Sequence, residues 1–122
     1  MSRTKILRIG IASRAQMKAR TVAIARGEHK RSPDEPKVWF TSMESLAQIL
    51  SSKNTLLLEM IRRARPASLK ELAELSGRQV SNLSRTLRTM ERYKLVTLEE
   101  SENGTLVPTV PYDRLALEHE LG

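Results

Sequence analysis

The 122-residue chain contains no cysteine, which excludes disulfides and thiolate metal sites. Its two histidines, His29 and His119, are too few and too isolated from each other for a metal centre to be expected. Aromatic residues make up only 3% of the chain, so a core has to rest on Leu, Ile, Val, Ala and Met, which suits a small helix-rich domain. No apolar run approaches the roughly 20 residues that span a membrane, and the first residues lack the apolar stretch of a signal peptide. A cytoplasmic protein with no membrane partner is expected. There is no nucleophile elbow, phosphate-cradling loop or paired-carboxylate motif. The expectation is therefore a protein that is not an enzyme and needs no cofactor.

Positive charge is what the chain has in excess, net +7, and it is unevenly spread. Residues 1–32 hold nine bases against Glu28 alone, and residues 62–94 hold nine bases and three acids. Residues 95–122 reverse the balance, with one base and six acids. Two basic blocks ahead of an acidic tail suit a protein laid on a polyanion. Basic segments are often only solubilising, so charge gains weight when a motif stands beside it.

Residues 66–98 supply that motif. Ser68 and Glu71 are spaced as a capping box, and Leu69, Leu72, Ala73 and Leu75 follow at helical spacing. Ser76-Gly77 ends this short helix, since Gly tolerates the left-handed conformation past a helix end. A second helix is expected from Gln79 to Lys94, with Val80, Leu83, Leu87 and Met90 as one apolar stripe. Off that stripe lie Arg78, Gln79, Ser81, Asn82, Ser84, Arg85 and Arg88. These types hydrogen-bond base edges and phosphates, and they cluster where a recognition helix meets DNA. An isolated polar helix face is more often simply solvated. A capped helix and a tight break before it, with a hairpin after it, favour DNA contact. Arg78, Gln79, Ser81, Asn82 and Arg85 are the expected base readers, with Ser84 and Arg88 on phosphate.

The hairpin is signalled by Leu95–Leu98, a turn at Ser101-Glu102-Asn103-Gly104, and a return from Thr105 to Val110. Asn-Gly between two β-prone runs is a strong hairpin signal, and a hairpin after a recognition helix is a wing. Its expected tip, with Glu99, Glu100 and Glu102, would repel phosphates.

The run LLLEMIRRARPASLKELAELSGRQVSNLSRTLRTMERYKLVTLEE resembles the DNA-binding core of MarR-like winged helix-turn-helix regulators. In that pattern LA marks the second helix, VSNLSRTLRTME the recognition helix, and Tyr93-Lys94-Leu95-Val96 the passage into the wing. The family usually has Gly at or beside the position of Lys94, so a differently built helix end is expected here. The resemblance covers residues 54–111 and implies the fold and double-stranded DNA binding without naming a target. Typical members carry long dimerising helices at both ends, which are not expected in these 122 residues. The closer likeness is to a compact prokaryotic group, some of which look like antitoxins or autorepressors encoded beside a toxin gene.

Before this core, Leu7, Ile9 and Ile11 alternate in a predicted strand, and Ser13-Arg14-Ala15-Gln16 is a capping box opening an Ala-rich amphipathic helix over 14–27. A polar linker over 28–36 leads to a second strand, Lys37–Phe40, whose adjacent Trp39 and Phe40 read as exposed. So small a strand-helix-strand cannot bury itself well. Two readings stand: it pairs with a second subunit or a partner protein, or it completes a sheet with the C-terminal segment. Thr41-Ser42-Met43-Glu44 reads as a third capping box, for a helix through Leu50. Residues 53–64 form a further helix with Leu57, Leu58 and Ile61 inward, stopped before Pro66. In the tail, Leu115, Leu117, His119 and Leu121 alternate with Arg114, Ala116, Glu118 and Glu120, a period that favours a strand.

These readings predict an α+β, mainly α chain. Residues 1–40 would be a basic strand-helix-strand extension for dimerisation or partner docking, and residues 41–122 a winged helix-turn-helix DNA-binding domain. The expected function is that of a sequence-specific regulator, a homodimeric (auto)repressor of a pseudo-palindromic operator. The alternative is an antitoxin that binds and neutralises a cognate toxin through its N-terminal region while repressing the shared promoter.

Overall fold

The alternation of Leu7, Ile9 and Ile11 produces a buried strand, β1 (Ile6–Ile11), in a computed structural model that describes residues 5–30 and 32–121. Arg3 and Arg31 of the basic block lie outside the described residues. The chain continues through α1 (Arg14–Ala25), β2 (Val38–Phe40), α2 (Met43–Ile49), α3 (Ser52–Ala64), α4 (Leu69–Ser76), α5 (Val80–Arg92), β3 (Thr97–Glu100), β4 (Leu106–Thr109) and β5 (Arg114–His119). The described residues thus form an α+β chain of five helices and five strands in two small sheets. None of these helices is long and apolar enough to cross a membrane.

Two compact units divide the chain. The first takes residues up to Gln48 and again from Tyr112; the second is Ile49–Pro111. The tail, read above with residues 41–111, therefore runs in the first unit.

In that unit a parallel sheet has the order β2-β1-β5, with Ile9 opposite Val38, Ile11 opposite Phe40 and Leu7 opposite Leu115. Of the two readings for the strand-helix-strand, the intramolecular sheet is the one present in the fold. Leu7, Ile9, Ile11, Val38 and Phe40 share one face and are buried, as is Leu46 of α2. Phe40, expected to be exposed with Trp39, is thus a core residue. The two-residue period of β2 turns it inward and sends Trp39, half-buried, to the opposite face. Helix α1 begins with both halves of the Ser13–Gln16 capping box in place. None of its residues is fully buried; Gln16, Met17, Arg20, Ala23 and Ile24 are half-buried. The third capping box is replaced by a simpler cap. Helix α2 starts one residue later than read, so Ser42, not Thr41, accepts the free N–H, that of Ser45 at 3.1 Å.

In the second unit Ser51 caps α3, which buries Leu57, Leu58 and Ile61 and ends at a left-handed Arg65 just before Pro66. Ser68 caps α4 by accepting the Glu71 N–H at 3.0 Å. The Glu71 carboxylate reaches Ala67 N–H at 3.2 Å instead of Ser68, so the reciprocal bond lands one residue upstream. Leu69 and Leu72 are buried, but Leu75 lies round the helix from them and is exposed. Helix α5 buries Leu83, Leu87 and Met90, each stabilising by about 1.5–3 kcal/mol relative to exposure. Val80, at its first turn, lies on the same side as Leu87 but is 45% exposed. Lys94 adopts φ +62. The end of α5 therefore has the backbone a Gly would take, and the expected difference in construction is one of side chain alone. Leu95 and Val96 are buried, and β3 pairs antiparallel with β4. The loop between them closes through Ser101 N–H to Thr105 O at 2.8 Å. Glu99 and Glu100 sit within β3, leaving only Glu102 in the loop.

Candidate nucleic-acid interface

The site is built from α4, the turn Gly77–Gln79 and α5. Gly77, at φ +72, ends α4 in a conformation that disfavours a side chain, and Gln79 is the N-cap of α5. Because successive residues turn by 100°, burying Leu83, Leu87 and Met90 on one side dictates what the other side shows. Gln79, Ser81, Asn82, Arg85 and Arg88 are exposed and Ser84 is half-buried. From Gln79 to Arg92 the surface extends about 20 Å. Gln79 makes no side-chain cap bond, so its carboxamide is available to an outside partner. Arg88 Nε donates to Ser84 Oγ at 3.4 Å, which leans the guanidinium along the helix.

Arg78 is set apart from the other six residues. Its side chain is half-buried and folds back on the unit: Nε donates to Asn82 Oδ1 at 2.9 Å, and the two Nη groups donate to Asn54 Oδ1 and Thr86 Oγ1, both at 3.3 Å. Asn54 is itself fixed at the start of α3, where its Nδ2 donates to Ile49 O at 2.9 Å. Arg78 therefore joins α3 to α5.

Two residues of this surface escaped the sequence reading. Arg92 is exposed one turn beyond Arg88, on the line that runs through Arg85. Its seven-residue spacing from Arg85 was a legible signal. Asn54 gave none, because it meets Arg78 only through the fold. The one acid of α5, Glu91, is turned toward the hairpin, where its Oε2 accepts the Leu98 N–H at 3.1 Å. The exposed line of Arg85, Arg88 and Arg92 thus carries no carboxylate.

The first unit has a separate feature. A cleft of about 450 Å³ lies beside α1 and Trp39 and reaches Glu118 and Glu120. Arg20 packs 5.1 Å from the Trp39 ring centre and pairs with Glu35 at 2.7 Å, while His29 bonds the other Glu35 oxygen. Burial pushes the Glu35 carboxyl up, but the hydrogen bonds and charges of His29 and Arg20 outweigh this and hold it below the ordinary value. Among the described residues no group of three His, Asp or Glu could hold a metal ion.

The model of the HVO_A0114 family matches residues 49–117, more than half the chain, and the chain belongs to that family. No curated protein and no solved structure matches it.

Proposed function

We propose that this member of the HVO_A0114 family is a sequence-specific DNA-binding transcriptional regulator. In this reading the second unit is a winged helix-turn-helix, with α5 as the recognition helix and β3–β4 as the wing. The observation that carries it is the outward face of α5, where Gln79, Ser81, Asn82, Arg85 and Arg88 stand exposed with Arg92, while the helix's one acid, Glu91, is bonded to the hairpin. The resemblance of residues 54–111 to MarR-like regulators supports the same reading.

The roles follow from chemistry. Gln79, Ser81, Asn82 and Arg85 reach base edges, with bidentate pairs such as Arg to guanine discriminating by about 1–3 kcal/mol. Ser84, Arg88 and Arg92 hold phosphates and set register. Arg78 acts through the helix it fixes. The carboxylates of Glu99, Glu100 and Glu102 keep the wing off the phosphates. The protein works in the cytoplasm as a dimeric repressor, needing neither cofactor nor catalysis. Two copies of α5 about 34 Å apart would read a pseudo-palindrome.

Footprinting on the DNA upstream of its own gene tests this. A protected inverted repeat is expected, with log affinity falling against log salt at a slope of about −7 if each protomer meets about four phosphates. Binding that never localises to one segment at any salt concentration contradicts it. The antitoxin reading rests on the basic N-terminal block together with an exposed aromatic pair; with Phe40 buried and Trp39 beneath Arg20, the aromatic part of that support falls away.

A further inference from the structure

We propose that β5 is the dimer interface. Two copies pair antiparallel, edge to edge, about a two-fold axis at Ala116, joining two three-stranded sheets into one of six. This rests on the dimeric part of the reading above and adds where the dimer forms.

Among the described residues, the sheet order leaves β5 at an edge, paired with β1 on one side. The other edge, β2, is just three residues long. Arg114 N–H donates to Lys5 O at 3.3 Å and Glu120 N–H to Ile11 O at 2.9 Å, so this set of backbone groups faces β1. By the two-residue period of a strand, the N–H and C=O of Leu115, Leu117 and His119 point off the sheet. No proline or bulge blunts this edge, and Leu117 is 50% exposed although it belongs to the apolar face. Such an edge is a template for another strand.

The residue order identifies that strand as a second copy. With the axis at Ala116, Leu115 and Leu117 of the two copies exchange backbone hydrogen bonds and cover each other. On the opposite face Arg114 of each copy meets Glu118 of the other. Opposite-charge and apolar cross-strand pairs of this kind stabilise the pairing of two strands. Because only alternate residues face outward, the axis can move only by whole residues that keep Leu115 and Leu117 in bonding positions. Placing it at Leu117 sets Glu118 against Ala116 and Leu115 against His119. Placing it at Leu115 sets Arg114 against Ala116. Ala116 alone matches apolar with apolar and Arg114 with Glu118. Among the described residues of one chain, Glu118 pairs with Arg8 at 3.6 Å, and both side chains are substantially solvated, so the contact contributes little to the fold.

Sedimentation equilibrium of the whole chain without DNA tests the proposal. The unaltered protein is expected to dimerise. Leu117→Pro removes an N–H that points off the sheet and none that bonds β1, a position where an edge strand accepts proline. It should weaken dimerisation at least tenfold. Arg114→Glu should also weaken it, and Arg114→Glu with Glu118→Arg should recover most of the loss, a series that decides the matter if the proline variant fails to fold. A dimer whose dissociation constant ignores all three variants overturns the interface, while a footprint that persists leaves the DNA reading intact. A monomer at every concentration overturns both the interface and the dimer.

Discussion

Arg78 Nε donates a hydrogen bond to Oδ1 of Asn82, 2.9 Å away and one helical turn along. With its further bonds to Asn54 and Thr86, the guanidinium ties the start of the exposed helix to the helix that opens the second unit. An arginine that reads a base must extend away from its own chain. This one is held against it.

Arg78→Ala should therefore lower the unfolding free energy by about 1–2 kcal/mol, the range for partly exposed hydrogen bonds to a charged group. Arg85→Ala, at a site with no side-chain partner among the described residues, should change it by no more than about 0.5 kcal/mol. Urea denaturation monitored by circular dichroism compares the two. Equal stabilities for the two variants would mean that Arg78 holds nothing together.

Lys94 closes α5 at φ +62, where an L side chain costs about 1–2 kcal/mol and Gly does not. Part of that gain is offset by the greater freedom of Gly in the unfolded chain. Lys94→Gly should raise stability by about 0.5–1 kcal/mol, and Lys94→Val should lower it. Thermal unfolding checks both, and a less stable glycine variant would contradict the left-handed assignment.

Gly10 lies opposite Trp39 in the sheet, and a Cβ at Gly10 would fall inside contact distance of the indole carbons Cε3 and Cζ3. Gly10→Ala should cost about 1–3 kcal/mol through displacement of the ring. Trp39 is the only tryptophan, so its fluorescence reports the displacement directly. An unchanged emission spectrum with unchanged stability would remove the ring from its place over Gly10.

Glu35 is held below its ordinary value by His29 and Arg20 against the opposing effect of burial. A carboxyl lowered in the folded state stabilises at pH above its unfolded value, and the contribution fades as pH falls through the folded one. Glu35→Gln should therefore be less stable than the parent near neutrality, with the gap narrowing below the ordinary carboxylate range. Melting temperatures measured across that range test the sign; a gap that widens with acid would reverse it.

Much of the fold was legible because local rules and burial agreed. The spacing of Leu83, Leu87 and Met90 set the inward side of α5, and so its outward side, while Ser13, Ser68 and Gly77 marked helix ends by their own hydrogen-bonding and conformational chemistry. What stayed open was long-range. Whether β1 would pair with a tail more than a hundred residues away is a question of long-range register, which local periodicity does not encode. The same holds for Arg78, whose type suits a base edge as well as it suits Asn54. Phe40 was misplaced because adjacency to Trp39 was read as a shared face, whereas a strand sends neighbours to opposite sides.

The most direct test of the α5 surface as a base-reading surface is the affinity of Arg85→Ala for the footprinted operator and for a scrambled duplex at the same salt concentration. Loss of a base contact should weaken operator binding by about tenfold to a hundredfold, as 1–3 kcal/mol implies, with a much smaller loss on the scrambled sequence. Equal losses on both duplexes, or none on either, would contradict base reading by this helix.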